Sequence, residues 1–356
     1  MKKLICCVIL LLSLLINQVF ACTTFCLIGK GEVLFGRNYD WNIGDALLLV
    51  NKKGVTKTAT ASESTSPNKP AKWISKFGSV TFNQYGRENP TGGMNEAGLV
   101  VELMWLDESD YPKDQSLPGV GSLEWIQYLL DTSATTTEAL KNAQDIRIVS
   151  EVKIHFLISD KTGQAASVEF LNGKLVSRTG KELSVPVLAN DTYDKSLSYK
   201  RSTSENKTLS SSSLDRFTRA AVKTENFARN PTSGQEAVDY AFELLSNVAQ
   251  KGYTQWSIVY DQKRGKIYFR TLQNAQIRFV DTRSFDYSCG APVRMYDIHS
   301  KETGDITNKF VDYTRSANRE LIDRSFAGTE FLKNIPPSVK FMLAEYPERF
   351  GCGTSQ

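Results

Sequence analysis

Cys22 is the side chain best placed to do chemistry, because of what precedes it. Residues 1–21 read Met-Lys-Lys, an apolar run from Leu4 to Ile16, then Asn17-Gln18-Val19-Phe20-Ala21. A membrane span needs about 20 apolar residues, so this run is too short to cross, and small Val19 and Ala21 suit the minus-three and minus-one positions of a secretory cleavage site. Residues 1–21 are therefore expected to be a signal peptide, and cleavage makes Cys22 residue one of a periplasmic or secreted protein with no membrane segment left. A cysteine there has three meanings: a nucleophile carrying its own base, a lipid attachment site, or coincidence. For the first, the α-amine titrates at about 7.7 to 8.0 and the thiol at about 8.5. The amine can accept the thiol proton as sulfur attacks a carbonyl and return it to the leaving nitrogen. For the second, acylation would consume both groups. Bulky Phe20 stands where lipoprotein signals usually carry a small residue, and Thr23 to Ile28 has the composition of a strand instead of a flexible tether.

The rest of the composition suits chemistry without imidazole. The 356 residues include two histidines, His155 and His299. A Ser-His or Cys-His hydrolase would need one of them, and a zinc site with several His ligands would use both. No metal or organic cofactor is expected. Lys and Arg number 43 against 39 Asp and Glu, a net charge of +4, without a basic tract interleaved with aromatics, so no nucleic-acid partner is expected. Cys6 and Cys7 leave with the leader. Cys26, in an apolar strand, reads as a small buried hydrophobe, and Cys289 and Cys352 lie in Gly-flanked segments where an exported protein could form a bridge.

The elements that must position Cys22 follow from periodicity. Thr23 to Ile28 and Val33 to Tyr39, joined by Gly29-Lys30-Gly31, read as a hairpin, and Ala46 to Val50 with Val55 to Thr60 suggest a second pair. Ala61 to Lys69 is a polar loop, Leu99 to Trp105 a buried strand, and Val152 to Ile158 with Ala165 to Phe170 a strand-turn-strand unit. Ser122 to Leu130, Thr137 to Ala143, Leu214 to Ala228 and Gln235 to Ala249 have helical spacing. Ser198 to Ser213 reads as a surface loop, and Thr254 to Tyr260 and Lys266 to Thr271 as strands. Clusters of strands alternating with pairs of helices argue against a doubly wound parallel sheet. A single domain over 22–356 is expected, with a helical C-terminal extension from about Asp312 that could pack on a neighbouring subunit.

Five motifs occur in order: Cys22-Thr23-Thr24-Phe25, Gly36-Arg37-Asn38-Tyr39-Asp40-Trp41, Gly93-Met94-Asn95-Glu96-Ala97-Gly98-Leu99, Ala189-Asn190-Asp191 and Asp215-Arg216-Phe217-Thr218-Arg219. In these the chain resembles the choloylglycine hydrolase and penicillin V acylase family of N-terminal nucleophile hydrolases. The resemblance implies an α+β fold, the four-layer αββα sandwich, and hydrolysis of linear amide C–N bonds of the penicillin V, conjugated bile acid or N-acyl homoserine lactone type. Carried over by position, Cys22 is nucleophile and base, Asp40 holds its amine, and Arg37 and Arg216 flank the thiol. Asn190 gives a side-chain donor to the oxyanion hole and Trp105 a backbone one, while Trp41 and Trp105 meet a small-molecule substrate with an apolar acyl group. Trp105 departs from the Asn or Tyr of many relatives and, with Trp41, is similar to the Gram-negative branch associated with penicillin V and long-chain acyl homoserine lactones. The resemblance also implies a homotetramer by analogy.

Plainer readings stay open beside these. Arg37 and Asp40 could be a surface pair, and in a regular strand they would face opposite sides, so a bend or bulge near Asn38 is expected if both reach Cys22. Asn190 could be a turn residue, and Asn190-Asp191-Thr192 and Asn206-Lys207-Thr208 match glycosylation acceptors. Arg216, at a helix start where a cation opposes the dipole, could pair with Asp215 or with an anion at the site. Trp41 and Trp105 could be core aromatics, and His155 reads as a hydrogen-bonded core histidine. A lipid-anchored protein or a non-catalytic ligand-binding member attached through Cys22 is the alternative function.

Overall fold

A computed structural model of the chain describes residues 22–60, 69–204 and 208–353. The leader, most of the Ala61 to Lys69 loop, and Asn206 and Lys207 of the second acceptor-type triplet lie outside the described residues. The hairpin forms as its turn dictates. Thr23–Gly29 and Glu32–Asp40 pair antiparallel from Thr23↔Asn38 to Gly29↔Glu32. Lys30 and Gly31 both take positive φ (50° and 81°), the two-residue turn whose twist matches the strands.

That hairpin is the centre of a seven-stranded sheet, ordered Val187–Leu188, Thr23–Gly29, Glu32–Asp40, Thr254–Asp261, Lys266–Thr271, Arg278–Asp281 and Gly304–Asp305. A nine-stranded sheet runs Lys174–Thr179, Ala165–Leu171, Ile154–Ser159, Val100–Trp105, Gly92–Asn95, Ser79–Asn83, Leu47–Asn51, Arg294–Asp297 and Val311–Asp312. The two stack face to face. Phe82 of the larger sheet meets Trp256, Tyr260 and Phe269 of the smaller at centroid distances of 6.1, 6.4 and 5.7 Å.

Helices cover both outer faces. Ser213–Arg229 and Gln235–Val248 pack on the seven-stranded sheet. The first buries Phe217, Ala220, Ala221, Thr224 and Phe227, a stripe at helical spacing, and starts at Ser212, whose hydroxyl accepts from the Asp215 amide. On the other side, Trp125 of helix Ser122–Thr132 lies 4.3 Å from Phe156 of the nine-stranded sheet. The architecture is the expected four-layer αββα sandwich.

Several expectations change. Leu47–Asn51 and Val55–Thr58 do not pair with each other. The former joins the nine-stranded sheet, and the latter pairs with Lys72–Ile74 and Gly351–Cys352 in a separate small sheet. Part of the Ser198 to Ser213 loop is helix, because Tyr193–Ser202 is capped by Thr192 and anchored by fully buried Tyr193 and Ser196. The C-terminal helices Arg315–Gly328 and Pro337–Glu345 pack on their own chain, with Ile322 and Phe326 beside Tyr85 and Leu343. Cys289 and Cys352 are bridged. Cys26 is free and fully buried, as expected. Among the described residues no helix is long and apolar enough to cross a membrane.

Candidate active site

Cys22 lies one residue outside the Thr23–Asn38 pair, 3% exposed. Two residues on, the Thr24 hydroxyl donates to Met104 Sδ across the gap between the sheets (3.3 Å), so side chains of that parity, Cys22 included, face the second sheet. Arg37, the strand partner of Thr24, points into the same gap. Its Nη1 donates to the Thr91 carbonyl (3.1 Å) and is ion-paired with Glu102, both side chains fully buried. Burial pushes the Cys22 thiol up, and Arg37 opposes that rise while Asp40 adds to it. Hydrogen-bond donors of Asp40 and Arg37 also act to lower it. Burial also lifts Glu102 to about 7, with Arg37 as the largest opposing influence.

Asp40 reaches the cysteine from the other side. Asn38 Nδ2 donates to the Leu245 carbonyl of the covering helix (2.8 Å), and Asp40, two residues further, shares that face. Its Oδ1 accepts from Thr254 Oγ1 (2.5 Å), whereas Oδ2 is buried without a hydrogen-bond partner. Burial raises this carboxyl to about 7, Arg216 being the strongest opposing charge. The expected irregularity is present but displaced. Glu32–Asp40 pairs continuously with the first strand, and the extra residue is Gln255 of the neighbouring strand, between the pairs Thr254↔Asp40 and Trp256↔Tyr39. No kink is needed in the strand carrying Arg37 and Asp40, because they approach the two faces of one residue.

Arg216 rises from the first turn of its helix beneath the strand. Nη1 donates to the Cys22 carbonyl (2.7 Å) and Thr23 Oγ1 (2.5 Å), and Nη2 to Asn190 Oδ1 (2.9 Å). Asp215 accepts instead from Tyr199 Oη (2.6 Å) and Ser210, so the mundane pairing of neighbours is not the one adopted by Arg216. Asn190 is thereby held at both ends, since its Nδ2 donates to the Trp105 carbonyl at 2.8 Å. An amide nitrogen has two N–H groups, which leaves one to aim elsewhere. Asn190 meets the Trp105 backbone through that residue's carbonyl, an acceptor, whereas the resemblance implied a backbone donor there; Cys22, Arg37, Asp40, Asn190 and Arg216 fall in one connected cluster.

A cavity of about 230 Å³ opens on Cys22, with Trp41, Trp105, Leu103 and Ile154 among its walls. Trp41 and Trp105 are 6.2 Å apart, and each is within 6.4 Å of Phe331. The tryptophans are core aromatics and cavity walls at once.

Three residues escaped the motif reading. Glu102 is the buried counter-charge of Arg37, and its sequence signal was a lone carboxylate within Val100-Val101-Glu102-Leu103-Met104. Gly92 stands opposite it, where an added Cβ would lie 1.9 Å from Glu102 Oε2. Thr254 orients Asp40 and has no local signature. His155 is a buried core histidine, as expected, but it donates to the Ala189 carbonyl (2.8 Å), next to Asn190.

This architecture, with a buried cysteine at the head of an inner strand, is that of the N-terminal nucleophile hydrolases. The chain belongs to the acyl-coenzyme A:6-aminopenicillanic acid acyl-transferase family, which matches residues 27–284. It is 28% identical over 260 residues to a penicillin V acylase of Pectobacterium atrosepticum, covering 61% of this chain and 69% of that protein. The penicillin V acylase structure from Agrobacterium tumefaciens superposes with a TM-score of 0.73 at 28% identity, over 82% of this chain and 98% of that one. A conjugated bile acid hydrolase of Clostridium perfringens shares the fold (TM-score 0.64, 17% identity, 80% and 98% covered). The choloylglycine hydrolase and penicillin acylase resemblance is borne out, and the chain is an amide-hydrolysing enzyme.

Proposed function

We propose that the chain is exported, trimmed after Ala21, and then hydrolyses linear amides between an apolar acyl group and an amine-bearing head, with Cys22 as nucleophile. The observation that carries this reading is the unpartnered, buried Oδ2 of Asp40 beside Cys22. Trimming creates an α-amino group, the hydrogen-bond donor such an oxygen needs, and near its ordinary pKa of about 7.7 to 8.0 part of it is the free base. A thiol held up by burial needs a base within reach, and the α-amine is that base. Sulfur attacks the carbonyl carbon, the amine takes the thiol proton, and the tetrahedral oxyanion accepts from Asn190 Nδ2 and a backbone N–H at Trp105. Collapse breaks the C–N bond as the protonated amine returns its proton to the leaving nitrogen, leaving a thioester. Water, deprotonated by the same amine, then releases the acid.

The cavity favours an apolar acyl group. Its lining is almost wholly apolar, with Trp41, Leu103, Trp105, Val152, Ile154 and Phe331 among the walls, which suits such a group. A lipid-anchored role sits poorly with a Cys22 that is 3% exposed. The test is the mature protein against Cys22→Ser and against a form retaining Ala21. Both variants should fold with turnover lost by about 10⁴-fold or more. Full activity in the Ala21-retaining form, or a diacylated N-terminus by intact mass, would overturn the reading.

A further inference from the structure

We propose that the two C-terminal helices and the turn between them form the specificity wall of the acyl cavity, with Phe331 of that turn as the side chain that limits acyl length; the proposal rests on the amide-hydrolase reading above. The family match stops at residue 284, so Arg315–Gly328 and Pro337–Glu345 lie wholly beyond it. Yet Phe326, Phe331, Leu332 and Leu343 all line the cavity that opens on Cys22. The first strand of the seven-stranded sheet thus carries the proposed nucleophile, and this segment supplies apolar lining of the same cavity.

The segment is fixed on both sides of those residues, as a wall must be. On the near side, Asn318 Oδ1 accepts from the Arg87 amide (2.8 Å) and its Nδ2 donates to the Ala344 carbonyl (3.3 Å). Tyr85 Oη lies 3.2 Å from Thr329 Oγ1, and Arg324 Nε donates to Asp45 Oδ1 at 2.9 Å. Beyond the second helix, Gly351–Cys352 pairs with Val55 and Thr56, and Cys352 is bridged to Cys289. Between these anchors Phe331 is 48% exposed, with its ring at 6.4 Å from Trp41 and 6.3 Å from Trp105. One side of the ring completes an aromatic cluster over the acyl path, and the other meets solvent. Its removal opens the cavity outward without emptying a core.

The ligand class that follows is a straight or aryl-terminated acyl chain whose far end lies under Phe331. The experiment measures kcat/KM of the mature wild type, Phe331→Ala and Phe341→Ala on saturated N-acyl homoserine lactones from four to fourteen carbons. Phe341 is 50% exposed and outside the cavity lining, so it serves as the control. At about fourfold per accommodated methylene, and with two or three of the four extra methylenes accommodated, Phe331→Ala should raise the ratio of twelve-carbon to eight-carbon turnover ~10–100-fold, while Phe341→Ala keeps the wild-type profile. In parallel, binding of free fatty acids of the same lengths to Cys22→Ser and to Cys22→Ser/Phe331→Ala is followed by tryptophan fluorescence. A longer preferred acid in the double variant supports the wall even if no lactone is cleaved, an outcome that would count only against lactones as the substrate and, if penicillin V is also left intact, against the Cys22 mechanism. Identical chain-length profiles with and without Phe331, in turnover or in binding, overturn the wall.

Discussion

Asn190→Ala tests the proposed oxyanion site most directly. The side chain makes two bonds, to the Trp105 carbonyl at 2.8 Å and from Arg216 at 2.9 Å. Losing both costs stability on the order of 1–3 kcal/mol. Arg216 keeps the Cys22 carbonyl, Thr23 and the Ser211 carbonyl, so the clamp under the nucleophile survives. The main effect should therefore fall on catalysis. Removing one oxyanion donor lowers kcat by about 10²–10³, or roughly 3–4 kcal/mol of transition-state stabilisation, with little change in KM because the ground-state carbonyl is held less strongly. The assay is release of free amine from penicillin V by the mature protein, with thermal unfolding recorded on the same sample. A folded Asn190→Ala enzyme with kcat within about threefold of wild type would place the oxyanion elsewhere and refute the assignment.

Three further outcomes follow from burial and connectivity. In the untrimmed chain Asp40 moves from 3.8 to about 7 on folding, so between those values the native state holds a proton that the unfolded chain has lost. Stability should fall as pH rises through that window, by on the order of 4 kcal/mol, and Asp40→Asn should flatten part of the slope in urea titrations at pH 5 and pH 8; an unchanged slope would count against it. Gly92→Ala would place a Cβ 1.9 Å from Glu102 Oε2 and force that carboxylate off Arg37, costing roughly 3–5 kcal/mol as a broken buried pair; an unshifted denaturant midpoint would contradict this. Cys352→Ser opens a loop of sequence separation 63 and should lower stability by up to about 4 kcal/mol, seen as a lower Tm that reducing agent reproduces in the wild type and not in the variant; equal Tm values would show that the bridge adds nothing.

What was legible in the sequence was whatever local pattern decides. The hairpin was readable because Gly29-Lys30-Gly31 allows positive φ at the turn, and the helices over 213–229 and 235–248 because their apolar stripes face one sheet. Long-range partners were not. Val55–Thr58 pairs with Gly351–Cys352, nearly the whole chain away, and no local signal encodes that choice. The displaced bulge at Gln255 was hidden for the same reason: parity along Glu32–Asp40 predicts a distortion, but which strand absorbs it depends on the neighbour. Likewise Tyr193 drew a polar stretch into a helix by being buried, which composition alone could not reveal.

The scarcity of histidine gains a physical meaning from these contacts. His155 is fully buried, with Nε2 on the Ala189 carbonyl and Nδ1 3.4 Å from Glu169. Glu169 in turn accepts from the Tyr193 amide (2.8 Å) and Arg178 (2.7 Å), at the start of the helix that follows Asn190. The imidazole is thus committed to fixing the backbone on either side of Asn190 and is in no position to meet the sulfur. In the proposed mechanism proton transfer falls to the α-amine of Cys22 instead, and the first strand is arranged consistently with it. One face of Cys22 presents the thiol to Arg37 and the cavity, while Arg216 fixes its carbonyl and Asp40 stands on the covering-helix side with an oxygen to spare. On the thiol's side of the strand the gap is already filled by the Arg37–Glu102 pair, and burying a further charge there would be the costlier arrangement.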